Sequence, residues 1–318
     1  MEVGLIQVPY DSGAYNKRMG RGPFFLVEHG IADTIGAFSH AVESVVVESD
    51  DIFPTEVGTT FRLLRATAQE VRGTVERGAF PLVLAGNCIT TVGALSGLTP
   101  RDVGLIWFDA HGDFHTPETS PSGFLDAMAI SIGVGHCWRT LAASIPHFEA
   151  LTEDRVLLVG ARDFEPLEYQ RLLSSDVAYL PCDRLMAEDP GALHEMLTAL
   201  AERADEVYIH LDLDVHDPTI APANQYRPPG GLTPDQVRKV IRAIASRFPV
   251  CGATLAAYDP GVDDELKGLK AAKGTVALLC ALLAEQTRSP ARGDLGAGVS
   301  DPTGEWRTDE GRCGDHGT

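Results

Sequence analysis

The chain has 318 residues, of which 44% are hydrophobic and 22% charged, a balance that excludes a disordered or fibrous protein. Its 26 Lys+Arg against 45 Asp+Glu give a formal charge of −19, so neither nucleic acid nor an anionic membrane is an expected partner. No apolar run approaches the ~18 residues of a membrane span.

The opening MEVGLIQVPYDSG has no basic stretch followed by a long apolar segment and a small-residue cleavage site, so no secretory signal is expected. Six scattered cysteines without a CxxC pair point to a reduced, cytoplasmic setting. In chain order, apolar runs at 3–8, 43–48, 81–86, 103–108, 155–160, 206–211 and, more weakly, 250–257 predict strands buried on both faces. Between them, 61–78 places Leu64, Val71 and Val75 at helical spacing. The stretch 233–248 starts with Thr233 as N-cap, Pro234 in the first turn and Gln236 closing a capping box, ahead of Val237, Val240, Ile241 and Ile244.

Strands alternating with helices imply a mainly parallel sheet with helices on both faces. The expectation is one three-layer α/β/α domain over residues 1–287, then a Gly-rich polar tail, 288–318, expected to be disordered. In such a sheet ligands bind beyond the carboxyl ends of the strands.

Two strand ends carry chemistry. The run 103–108 continues into Asp109-Ala110-His111-Gly112-Asp113, and 206–211 continues into Asp212-Leu213-Asp214. On extended backbone, side chains two apart share a face, so each set points together. Four carboxylates in one crevice would repel unless cations sat among them. Hard oxygen donors with one imidazole suit two Mn²⁺ or similar divalent ions.

These motifs resemble those of the arginase/agmatinase (ureohydrolase) family, which has Gly-Gly-Asp-His, then Asp-Ala-His-x-Asp, then Ser-x-Asp-x-Asp-x-x-Asp-Pro. Here the second reads DAHGDFHTPETSPSGFLD over 109–126 and the third HLDLDVHDPTIAPANQYRPPGGL over 210–232; GRGP at 20–23 and GARDFEPLE at 160–168 add to the match. The resemblance implies an α/β/α fold, a dinuclear manganese centre, a homotrimer or homohexamer, and a small-molecule substrate whose linear C–N bond a metal-bridging hydroxide attacks. It implies that Asp109 and Asp212 bridge the ions, that His111 and Asp214 complete one site, and that Asp113 serves the other and holds the hydroxide. Such an ion pair makes hydroxide available near neutral pH.

Three positions depart from the family. Cys88, in AGNC at 85–88, stands where the first ligand His belongs. As a thiolate it is a softer ligand, which makes zinc or iron competitive with manganese; the plainer reading is a buried thiol. A thiol here, with HGDFHTPET at 111–119, resembles the hydroxyarginine amidinohydrolase branch. Asp126 lies where arginase has a His proton shuttle; it either acts in catalysis and substrate binding or only starts a helix. Ala257 replaces a Glu that grips the guanidinium, which puts arginine itself in doubt. His115, Ser122 and Glu165 are the candidate substrate contacts, with Glu168 beside them, although surface acids are the simpler reading of both glutamates. His136 and His216 are expected to be structural or solvent-exposed. Against an amidine or guanidine hydrolase stand an amide or formimidoyl hydrolase and a metal-binding pseudoenzyme.

Overall fold

A computed structural model describes residues 1–50, 54–187 and 190–288. The expected tail lies outside the described residues, apart from Arg288, which ends the last helix. Eight strands form one sheet: β1 (Glu2–Val8), β2 (Ala41–Val46), β3 (Phe80–Ala85), β4 (Val103–Phe108), β5 (Val156–Val159), β6 (Ala178–Leu180), β7 (Glu206–Asp212) and β8 (Val250–Ala256). Their order is β2-β1-β3-β8-β7-β4-β5-β6, and every pair is parallel.

Both faces of the inner strands are covered. Leu5, Leu84 and Ile106 turn toward the side where Ile244 of helix Pro234–Ala245 and Val276 of helix Lys267–Arg288 pack. Their neighbours Ile6, Val83 and Leu105 turn toward Leu64 and Val71 of helix Glu56–Glu76. That is why these strands read as unbroken apolar runs instead of alternating ones. Gly4 lets that helix lie close, since a Cβ there would sit 2.4 Å from Thr74 Cγ2.

The structure corrects two expectations and adds one strand. The run predicted at 43–48 is a strand over Ala41–Val46 at the sheet edge, mostly exposed, because only β1 flanks it. The opposite edge, β6, has three residues, too few for a period to show. The helix predicted to begin at residue 61 begins at Glu56, where the Thr55 side chain caps the Gly58 N–H. The capping box of Thr233 and Gln236 is present as expected.

From β4 the chain moves to β5 on one side, while from β7 it moves to β8 on the other. The crevice between β4 and β7 is therefore the switch point where an open parallel sheet binds ligands.

Candidate metal centre

Asp109 follows β4 directly, and Asp212 ends the neighbouring β7, with Phe108 paired to Leu211. Extended backbone does not carry the rest of the set, contrary to the sequence argument. Asp113 has φ +47°, a strained conformation for a residue with a Cβ and one that gathers at functional sites. Asp214 sits in a 3-10 turn, Leu213–Val215, in which its N–H donates to Asp212 Oδ1 at 2.7 Å. Turns, not a shared strand face, bring the carboxylates together.

Cys88 arrives from the loop after β3, reaching over the end of β8, and its Sγ lies 2.9 Å from Asp212 Oδ2. Ala257, the residue after β8, is buried with φ +61° and leaves that end open. Asp109 accepts from the Trp107 indole at 3.0 Å and the His111 N–H at 2.8 Å. His111 Nδ1 stands 3.2 Å from Asp109 Oδ1 and 3.4 Å from Asp214 Oδ2. Asp214 also accepts from the Ala110 N–H at 3.2 Å and from Asn224 Nδ2 at 3.1 Å.

Electrostatics supports the cation reading. Burial and then the neighbouring carboxylates raise Asp109, and push Asp113 and Asp212 well above the usual carboxylate range. Burial opposes a charge on His111, but Asp214 and Asp109 outweigh it and push that imidazole up to about 10. Asp113 Oδ2 is buried without a hydrogen-bond partner. Such a cluster lacks positive charge, and divalent ions would supply it. Two sets of donor atoms lie within 4.8 Å of one another: Asp109 with His111 and Asp214, and Cys88 with Asp109 and His210. The residues present fit two ions.

The other predicted residues surround a cavity of about 270 Å³ above this floor, lined by His115, Ser122, Asp126, Glu165, Glu168 and Ala257 among others. Asp126 starts a 3-10 turn and also reaches the cavity. Its two oxygens accept from Ile89 N–H at 2.7 Å and Asn87 Nδ2 at 2.8 Å, clamping the loop that carries Cys88, and burial raises it to about 7. Glu168 is not a surface acid: it is buried, accepts the Phe114 N–H at 3.0 Å and is raised to about 7 by burial. Glu165 is half-exposed at the rim, 3.9 Å from His115 Nε2. Ser122 is exposed and hydrogen-bonds within its own loop. His216 is buried rather than exposed, with Nδ1 2.9 Å from the Leu213 carbonyl, and His136 is structural, paired with Glu153 at 3.0 Å.

The sequence reading missed Trp107, Arg162, His210 and Asn224. Arg162 donates to the carbonyls of Asp214, Val215, His216, Pro228 and Pro229, stapling the turn behind Asp214. It lay in the quoted GARDFEPLE and had no visible partner there. His210 heads the third motif.

A carboxylate-rich candidate metal site at the switch point of an α/β/α sheet defines the class. The chain belongs to the arginase family, whose model matches residues 1–286. It is 28% identical to an arginase of Bacillus caldovelox, the match covering 89% of this chain and 98% of that one. The solved structure of the Bacillus caldovelox arginase superposes with TM-score 0.79 at 25% identity, covering 88% of this chain and 97% of that one. The agmatine ureohydrolase of Thermoplasma volcanium has the same fold, with TM-score 0.66 at 20% identity over 91% of this chain and 92% of that one. These matches place the protein among the ureohydrolases, hydrolases whose centre is typically binuclear manganese. No described helix is long and apolar enough to cross a membrane.

Proposed function

We propose that the protein hydrolyses a linear C–N bond in a small amidine- or guanidine-like molecule and stands with the hydroxyarginine amidinohydrolase branch. One observation carries this reading: Cys88, His111, Asp113, Asp212 and Asp214 line one cavity, with Asp109 buried beneath them. Two divalent ions, manganese in the first instance, would be held here: one by His111 and Asp214, the other by Asp113 and Cys88, with Asp109 and Asp212 available to both. Bound there, the ions supply Lewis acidity that makes hydroxide available near neutral pH.

The chain's own groups do the rest. Asp113, which lines the cavity and whose Oδ2 has no other partner, orients the attacking water and accepts its proton. Asp126, whose carboxyl burial raises and which lines the cavity, is placed to pass a proton to the departing amine. Glu165 at the rim pairs with a substrate amino group, and His115 and Ser122 hold the substrate's polar end. Ala257 offers no carboxylate to a strongly basic guanidinium, so a less basic, N-hydroxylated guanidine suits the site better than arginine. The same absence supports a second substrate class, amides or formimidoyl groups.

Turnover of guanidines, N-hydroxyguanidines, amidines and amides by manganese-loaded protein tests the proposal. The expected result is cleavage of the N-hydroxyguanidine in preference to arginine. Protein with two ions per chain that turns over nothing in the panel would instead be a metal-binding pseudoenzyme. We further propose a cytoplasmic homo-oligomer, trimeric or hexameric, built on a single domain over residues 1–287; light scattering of the purified protein checks the assembly.

A further inference from the structure

His210 is fully buried, two residues before Asp212 on β7, and its ring is fixed from two directions. It stacks on Trp107 with centroids 3.6 Å apart and planes 23° apart. Its Nδ1 lies 2.8 Å from Thr91 Oγ1. The other ring nitrogen, Nε2, is buried with no hydrogen-bond partner. Leaving such a group unsatisfied costs ~1–3 kcal/mol. A donor atom of His210 lies within 4.8 Å of donor atoms of both Cys88 and Asp109.

We propose that His210 is a ligand to the ion held by Cys88 and Asp109, giving that half of the centre a sulfur–nitrogen–oxygen donor set. This rests on the metal-centre reading above. In this assignment Nδ1–H donates to Thr91 Oγ1, which leaves the unpartnered Nε2 with a lone pair for the ion. That is the usual arrangement of a ligating histidine, whose second nitrogen is pinned by an outer partner. The motif points the same way: the resembled family has His where this chain has Cys88 and Ser where it has His210, so the imidazole lost from one position returns at the other.

Metal preference follows. Thiolate, imidazole and carboxylate together suit zinc and other borderline-soft ions, whereas His111 with Asp109 and Asp214 remains a harder set suited to manganese. The half beside Cys88 and His210 is therefore expected to favour zinc-class ions over manganese more than the half beside His111 and Asp214 does.

Proton–cadmium correlation NMR on full-length protein loaded with cadmium-113 tests this directly, because scalar coupling reveals each ligand side chain. The expected spectrum has one cadmium coupled both to a cysteine β-methylene and to imidazole ring protons. His210→Gln should remove that imidazole correlation and weaken zinc binding at this site by more than the ~10–100-fold that losing an outer partner costs. A cysteine-coupled cadmium without any imidazole coupling in the unaltered protein overturns the His210 assignment and leaves the metal centre standing. Absence of bound cadmium overturns both. The unaltered protein decides the matter even where the variant does not fold.

Discussion

The thiol of Cys88 donates to Asp212 Oδ2 at 2.9 Å, joining the loop after β3 to the last residue of β7 across the end of β8. Burial and then Asp212 push the thiol well above its ordinary value, so in the absence of ions it is neutral. An ion on the Asp212 carboxylate meets the sulfur at once and stabilises its thiolate.

Replacing Cys88 with Ser should therefore lower the metal content from two ions per chain toward one, because a hydroxyl stays neutral and donates weakly. Elemental analysis after dialysis reads the stoichiometry. Two tightly held ions in Cys88→Ser would make the cysteine a packing residue.

Asp109→Ala and Asp212→Ala should each lose both ions, since each removes a shared carboxylate from a cluster that depends on it. Asp214→Ala should weaken mainly one. Calorimetric titration with manganese distinguishes two sites, one and none, and two intact sites in Asp212→Ala would refute the bridging role.

Stability of the metal-free protein should fall as pH rises. Asp126 and Glu168 are each raised to about 7 by burial, against unfolded values of ~3.9 and ~4.3. Between about pH 4 and 7 the folded chain holds protons that the unfolded chain has released, so unfolding becomes easier with increasing pH. Chelator-treated protein should melt higher at pH 5 than at pH 8, with Glu168→Gln flattening the difference. Added manganese should reverse the trend, because the ions compete with protons for the neighbouring carboxylates. A melting temperature that rises with pH in the metal-free protein would contradict the argument.

Gly86 precedes the loop bearing Cys88, and a Cβ on it would lie 2.1 Å from the Tyr10 carbonyl oxygen and 2.8 Å from Gly20 Cα. Both are backbone atoms and cannot swing aside. Gly86→Ala should cost on the order of 3 kcal/mol, read from the denaturant midpoint, and should reduce metal content by shifting Cys88.

Arg162→Lys should destabilise by ~1–3 kcal/mol, since one ammonium cannot serve the five carbonyls that the planar guanidinium reaches, and the turn behind Asp214 loses most of that staple. The ion on the Asp214 side should bind more weakly, as a titration would show. Unchanged affinity there would confine Arg162 to folding.

The inner strands and the chemistry-bearing motifs were legible because their signals are local. A strand buried on both faces writes a continuous apolar run, and Asp109 to Asp113 and Asp212 to Asp214 are short strings. Edge strands write weaker signals, which is why β2 was displaced and β6 passed unseen. The mode of convergence was also hidden, since the left-handed backbone at Asp113 and the turn at Asp214 leave no trace in a spacing of two. Glu168 looked like a surface charge and Arg162 went unremarked because their partners, the Phe114 N–H and a set of carbonyls, are backbone groups far away in sequence. His210 looked like a strand residue until the stack on Trp107 and its unpaired nitrogen gave it a place.

The bond between Cys88 and Asp212 spans 124 positions of the chain, and this distance governs when metal can be taken up in the cell. At a synthesis rate of ~5–20 residues per second, Asp212 emerges on the order of ten seconds after Cys88. A growing chain thus exposes the Cys88 thiol before any complete ligand set exists. The thiol and the shared carboxylates meet only once β7 has joined the sheet, so the ions available from that point on, rather than those met by the earlier chain, decide which metals the protein carries.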